Sequence, residues 1–123
     1  MRRIKMTKTF VTKDSGKRQN YKSGMRRDLQ KGKARFDLII PETEKYEETL
    51  LYRWAGLMER GAVKYGFRNW EKANSKEELD RFKASAIRHF MQWFSDETDE
   101  DHAVAILFNI NAAEYVKNKM SKK

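Results

Sequence analysis

The chain has 123 residues, 27 Lys and Arg against 18 Asp and Glu, no cysteine and one proline. That length supports one hydrophobic core, and the lack of cysteine excludes both a disulfide frame and a thiolate metal site. Three Trp, five Tyr and seven Phe argue against wholesale disorder. No run approaches membrane-spanning length and no apolar signal region follows the basic start, so a cytoplasmic protein without a membrane partner is expected.

The net charge of +9 is unevenly placed. Residues 1–35 carry 13 Lys and Arg against Asp14 and Asp28, a balance of +11. Residues 36–123 carry 14 cations against 16 acids, a balance of −2. The basicity therefore belongs to an N-terminal arm, which reads either as a solvated tail or as an electrostatic partner for polyphosphate.

In chain order, residues 1–35 lack helical periodicity and contain Gly16, Gly24 and Gly32, so they read as loop. Residues 33–41 turn apolar and predict a short extended piece, closed by Pro41. Pro41, Glu42 and Glu44 predict a first helix from about Glu42 to residues 61–65. Its apolar stripe is Tyr46, Leu50, Leu51, Trp54, Leu57 and Met58, and Gly66 is the stop. Residues 61–70 mix glycines, aromatics and cations. They suit core aromatics at a helix corner as well as a loop that encloses a ligand.

Ser75-Lys76-Glu77-Glu78 fits a capping box and opens a second helix. Leu79, Phe82, Ala86, His89 or Phe90, and Trp93 share one of its faces. Beside Phe90, His89 reads on its own as a core or rim histidine. Thr98 or Asp99 is expected to cap a third helix. From residue 103 to 110 that helix is apolar all round except at Asn109, which predicts burial, with Asn109 and Asn111 needing internal partners. Residues 117–123 are expected to fray. The expected fold is all-α: three main helices in a bundle over residues 36–123, behind an irregular basic arm over 1–35. At most one short strand is foreseen, with self-association into a homo-oligomer to cover the aromatic surface.

Five carboxylates fall in Asp96-Glu97-Thr98-Asp99-Glu100-Asp101, directly before His102 and the apolar helix. One or two acids are explained as caps at the positive helix end. Five repel each other unless a cation is present. Oxygen ligands with an imidazole suit Mg²⁺ or Mn²⁺, which bridge carboxylates to phosphates, and Glu97, Glu100 and Asp101 are the candidate ligands, with His102 beside them. No Walker loop, dinucleotide glycine pattern or zinc signature is present.

Several pieces occur in a specific order. Tyr21-Lys22-Ser23-Gly24-Met25-Arg26-Arg27-Asp28 precedes Gly32-Lys33-Ala34-Arg35-Phe36-Asp37-Leu38-Ile39. Then come Gly61-Ala62-Val63-Lys64-Tyr65-Gly66-Phe67-Arg68-Asn69-Trp70-Glu71 and Ala86-Ile87-Arg88-His89. Trp93, the acidic cluster with His102, and Asn109 close the series. Together these resemble the phage and bacterial dATP/dGTP diphosphohydrolase family, distant relatives of MazG-type all-helical nucleoside triphosphate pyrophosphohydrolases.

The resemblance implies a metal-dependent enzyme that cleaves a purine deoxynucleoside triphosphate between the α and β phosphates. It places Glu97, Glu100, Asp101 and His102 at the acidic catalytic and metal site. It places Lys64, Arg68, Arg88 and His89 in basic and aromatic substrate motifs, and Asn109 at the helix asparagine. Arg26, Arg27, Lys33, Arg35 or Lys64 would neutralise phosphate charge, and Trp70, Phe67 or Tyr65 would stack on the base. The chain departs from the family pattern at Asp96, where Gly is common, at Ala105, where a second histidine is common, at Phe108 for Trp and at Ala34 for Pro. Two other classes fit parts of the sequence: a nucleic-acid-binding or regulatory phage protein using the arm, and an inactive relative kept for protein interaction. DNA binding that falls steeply with salt would mark the former.

Overall fold

The computed structural model describes residues 10–122, and the chain divides into two compact units, Met1–Phe36 and Asp37–Lys123. In the first unit, β1 (Arg18–Asn20) pairs antiparallel with β2 (Arg26–Asp28), setting Arg18 opposite Asp28 and Gln19 opposite Arg27. This hairpin corrects the expectation of loop. Strands of three charged or polar residues carry no apolar alternation, so the period-two signal is missing. Its turn is closed by the Gly24 amide donating to the Tyr21 carbonyl at 2.9 Å, with Gly24 at a φ of 92° that favours glycine. Asp28 accepts from both the amide and the hydroxyl of Ser15, and Asp14 takes Arg18 at 2.8 and 3.0 Å.

Residues 36–39 form a 3₁₀ turn rather than an extended piece. A short apolar segment without a neighbouring strand closes its hydrogen bonds locally, here with the Ile40 amide on the Asp37 carbonyl at 3.2 Å. The first long helix, α1, spans Leu50–Tyr65, eight residues later than the Pro41 signal predicts. Thr49 decides its start, because the buried hydroxyl accepts from the Tyr52 amide at 3.1 Å. Tyr46, Leu50 and Leu51 are consequently exposed, and Trp54, Leu57, Met58, Gly61 and Ala62 face inward.

Helix α2 spans Lys76–Phe94 and opens with the expected cap, Ser75 accepting from the Glu78 amide at 3.2 Å. Its inner face carries Leu79, Phe82, Ala86 and buried His89; Trp93 turns outward, contrary to expectation, and Gln92 sits in its place. Helix α3, His102–Ser121, is central, packing along α2 and against α1 and the 3₁₀ segment Asn69–Lys72. Val104, Ala112 and Val116 on it are wholly buried. Asn111 is exposed, so it needs no internal partner. The tail of α3 stays helical because the Lys119 ammonium donates to the Glu71 and Ala73 carbonyls at 2.7 and 2.8 Å. The helical unit is thus an all-α bundle of three helices. Among the described residues no helix is long and apolar enough to cross a membrane.

Candidate active site

The acidic cluster occupies the corner between α2 and α3, and its shape follows from how α2 ends. Asp96 adopts a left-handed φ of 60°. Around it the Asp96 amide donates to Trp93 and the Glu97 amide to Gln92, at 3.1 and 3.0 Å, the paired bonds of a Schellman ending. This is the position where the resembling family favours glycine, and the conformation explains why. The ending turns Glu97 back over α2, where it accepts from the Gln92 amide group at 3.3 Å. Gln92 in turn accepts from Arg88 at 3.1 Å.

Behind that row lies a buried imidazole pair. His89 Nδ1 and His102 Nδ1 approach to 2.9 Å, with both side chains almost fully enclosed. His102 Nε2 meets Asp99 at 2.8 Å, and Arg88 reaches His89 Nε2 at 3.3 Å. Chemistry fixes the protons along this chain. A carboxylate accepts, so His102 donates to Asp99 from Nε2–H, and its Nδ1 faces His89 as the acceptor. His89 donates to it from Nδ1–H, which leaves His89 Nε2 as the acceptor for the Arg88 guanidinium. Burial and the neighbouring Arg88 push the His89 pKa down, favouring this neutral form. The hydrogen bond from His102 lowers the Asp99 carboxyl below its ordinary value.

Two sets of side chains bring their ligand atoms within 4.8 Å of one another: His89, Glu100 and His102, and Glu97, Asp99 and His102. Both share His102, so one imidazole is surrounded by donors suited to a divalent cation. Asp101 stands apart from both sets. Instead of capping through its side chain, it receives Arg53 Nε and Nη2 at 2.9 and 2.7 Å. That guanidinium lowers the Asp101 pKa. The third helix therefore starts at His102, with Asp101 and not Thr98 or Asp99 at the N-cap position, while Asp99 is committed to His102.

The remaining sequence candidates are spread along the bundle. Trp70 packs edge-on to Phe108 and Tyr115, with ring centroids 6.1 and 5.3 Å away. It lines a cleft of about 680 Å³ with Leu57, Tyr65, Phe67, Arg68, Asn69, Phe82 and Phe108 among its walls. Arg68, left-handed at φ 57°, holds Glu71 at 2.7 Å, and Lys64 lies over the Tyr65 ring at 5.0 Å. Asn109 is buried and satisfies itself within α3, donating to the Ala105 carbonyl at 2.8 Å, so it does not join the cluster. Arg26, Arg27 and Lys33 belong to the N-terminal unit, and Arg35 lies at its end. Arg53 on Asp101, Asp99 on His102 and Lys119 on the Glu71 and Ala73 carbonyls are contacts that the sequence reading does not foresee. Of these, Asp99 has a signal in the sequence, as one of the acids directly before His102.

A family model described as dATP/dGTP diphosphohydrolase, N-terminal, matches residues 23–123. The chain belongs to this family. Comparison with curated proteins and with solved structures gives no match. Within the family pattern, buried Ala105 stands where a second histidine is common. His102 is partnered here by His89 of α2.

Proposed function

We propose that the helical unit hydrolyses dATP or dGTP to the nucleoside monophosphate and pyrophosphate, with Mn²⁺ or Mg²⁺ as cofactor. The observation that carries this reading is the enclosed His89–His102 pair ringed by Glu97, Asp99 and Glu100. Mixed nitrogen and oxygen donors fit a divalent cation and favour Mn²⁺ over the strictly oxygen-seeking Mg²⁺. Glu100 and His102 would hold the ion, His102 through the Nδ1 lone pair that His89 Nδ1–H occupies in this structure, with Asp99 orienting His102 from its Nε2–H as an outer partner. Such an ion lowers the pKa of a bound water and offsets charge on the phosphates.

The chain's own groups do the rest. In the hydrolysis a water oxygen bonds to the α-phosphorus, the bond to the α–β bridging oxygen breaks, and pyrophosphate leaves with that oxygen. Glu97 takes the water proton, because its carboxylate is held only by the Gln92 amide while Asp99 and Asp101 are engaged by His102 and Arg53. Arg88 and Lys64 supply positive charge for the phosphates on the helical unit. The aromatic cleft receives the purine, with Trp70 and Phe67 as stacking surfaces and Asn69 and Glu59 as polar readers of its edge. Along α3 the helical rise separates Phe108 from His102 by about 9 Å, a distance a nucleotide spans from base to phosphates.

We further propose a homo-oligomer. Ile87, Phe90, Met91 and Phe94 form an exposed stripe at three- and four-residue spacing on α2, with Ile87 66% and Phe94 70% exposed. A second copy covering it would shift the mass in solution, and Phe94→Glu would restore the monomer.

The decisive experiment offers each of the four dNTPs with Mn²⁺, with Mg²⁺ and with EDTA, and follows pyrophosphate. Release is expected with dATP or dGTP and a metal, and none with EDTA. Release that survives Glu97→Gln and Glu100→Gln alike would sink this site.

A further inference from the structure

The N-terminal unit carries chemistry that nucleotide hydrolysis in the helical unit does not use. Its two acids are both engaged in holding the hairpin in shape. Asp14 grips Arg18 through both oxygens, at 2.8 and 3.0 Å, and also accepts from the Gly16 amide. Asp28 is taken by Ser15, with Arg18 at 3.9 Å and Lys33 at 3.8 Å. The side chains of Lys17, Lys22, Arg26, Arg27 and Lys31 are left exposed, with no partner among the described residues. A folded hairpin that neutralises its own acids and leaves its cations open presents fixed positive charge.

The pairing also sorts side chains by face. Gln19 of β1 and Tyr21, just past its end, line the same recess, and Arg27 stands directly opposite Gln19. The recess, of about 290 Å³, is lined with them by Asp28, Gln30 and Lys33. An aromatic ring 43% exposed, two cations, two side-chain amides and the Asp28 carboxylate, which Ser15 and Lys33 offset, thus share one concave face. Cations track a phosphate backbone, an open ring stacks on a base, and amides bond to base edges. Duplex DNA keeps its bases stacked and would leave Tyr21 idle, whereas an unpaired strand offers it a base.

We propose that the β1–β2 hairpin is a binding module for single-stranded nucleic acid, with Tyr21 stacking on a base, Arg27 and Lys17 meeting the backbone on the Tyr21 face, and Lys22 in the turn with Arg26 on the other face meeting it where the strand passes the hairpin end. This is independent of the hydrolase reading and gives Arg26, Arg27 and Lys33 a ligand other than the substrate triphosphate.

The test uses the full chain and fluorescence anisotropy of labelled 20-mers of deoxythymidine and of uridine, beside a duplex of the same length, across a salt series. Both single strands are expected to bind more tightly than the duplex, the two arms showing whether DNA or RNA is preferred. The logarithm of the affinity should fall linearly with the logarithm of salt. Replacing Lys17, Lys22, Arg26 and Arg27 together by Gln should lower that slope by about 3, at about 0.7 for each phosphate no longer neutralised. Tyr21→Ala should weaken binding at least fivefold at an unchanged slope, and Tyr21→Phe should restore it. Amide chemical shifts at Gln19 and Arg27 would confirm that the hairpin still pairs in each variant. Absence of binding at low salt overturns the proposal. So does equal affinity for duplex with no effect of Tyr21→Ala. Displacement of the oligonucleotide by the same dNTP concentration that saturates hydrolysis, or quadruple-variant damage confined to dNTP turnover, would also overturn it, since the cations would then belong to the substrate site.

Discussion

Arg53 grips both carboxylate oxygens of Asp101, Nε on one and Nη2 on the other at 2.9 and 2.7 Å, and so ties the first turn of α1 to the start of α3. The pair is half-exposed, with side chains 44% and 28% accessible, so its worth comes from geometry more than from Coulomb energy. A bidentate fork fixes direction as well as distance. Asp101 directly precedes His102 and follows Glu100, so loosening it moves both. Arg53→Met and Asp101→Asn are each expected to cost about 1 kcal/mol of stability, measured by denaturant unfolding. In a double-mutant cycle the second substitution should add little to the first. Both should lower pyrophosphate release by reducing kcat more than they raise KM, the mark of a positioning role. An Asp101→Asn enzyme whose metal affinity collapses while Arg53→Met is unaffected would show that Asp101 is a ligand instead.

The imidazole pair predicts a graded response to mutation. Asp99 touches His102 from outside, and removing its charge leaves the ring in place with less fixed orientation. Asp99→Asn is therefore expected to weaken Mn²⁺ binding about 10–100-fold, read by calorimetric titration. His102→Ala is more severe, because it strands the His89 Nδ1–H group in a buried site without an acceptor. That orphan costs about 1–3 kcal/mol, so the variant should both lose metal binding and melt earlier. Equal Mn²⁺ affinity in wild type and His102→Ala would remove the imidazole from the metal site.

How much of this is legible in the sequence depends on whether the signal is local. The all-apolar run after His102 does become the central helix, and Ser75 with Glu78 does open α2, because both patterns lie within one or two turns. The acidic cluster is visible for the same reason. Local spacing reads His89 only as a core or rim histidine and the family resemblance alone marks it for the site, since the residue it pairs with stands on another helix. Arg53 finds Asp101, and Lys119 finds the carbonyls of Glu71 and Ala73, across long stretches of chain that no spacing rule connects. The start of α1 is misplaced by the sequence because two start signals compete, Pro41 and Thr49, and the threonine makes the hydrogen bond. The hairpin stays hidden because its strands are held by Asp14 and Asp28 rather than by apolar alternation.

Asp96 bears a strain that glycine would relieve. A side chain in the left-handed region has an energetic cost that glycine lacks, although Asp tolerates it better than most. Asp96→Gly is expected to raise stability by about 0.5–1 kcal/mol, seen as a higher melting temperature, with metal binding kept. It also removes one carboxylate from a crowded cluster, which acts in the same direction. A lower melting temperature would mean that the Asp96 side chain makes a contact that outweighs its backbone cost.

The hairpin should withstand strong acid at one point. Hydrogen bonds from Arg18 and from the Gly16 amide lower the Asp14 pKa to about 2. A depressed carboxyl contributes stability that is present above its unfolded value near 3.8 and is lost as the pH falls through about 2. Carbon-detected NMR of the Asp14 carboxyl should therefore show a midpoint near 2. In Arg18→Gln the midpoint should move back toward the ordinary aspartate value. A wild-type midpoint at the ordinary value would show that the Arg18 fork does not persist in solution.

The aromatic cleft separates affinity from stability, because two of its rings are held very differently. Trp70 is wedged against Phe108 and Tyr115, while Phe67 lines the same cleft with 85% of its surface exposed. Phe67→Ala removes a stacking surface and little packing. It should raise KM for the purine dNTP at least fivefold, the lower end of what stacking on one base supplies, and leave the melting temperature near wild type. Trp70→Ala should raise KM similarly and also cost about 3–5 kcal/mol, the range for emptying a packed large aromatic site. Lys119→Met falls between them, freeing the carbonyls of Glu71 and Ala73 that it holds and so loosening Trp70 without removing it. Steady-state kinetics and thermal melts on the same three preparations decide the matter. If Phe67→Ala leaves KM unchanged for both dATP and dGTP, the purine does not stack on that ring.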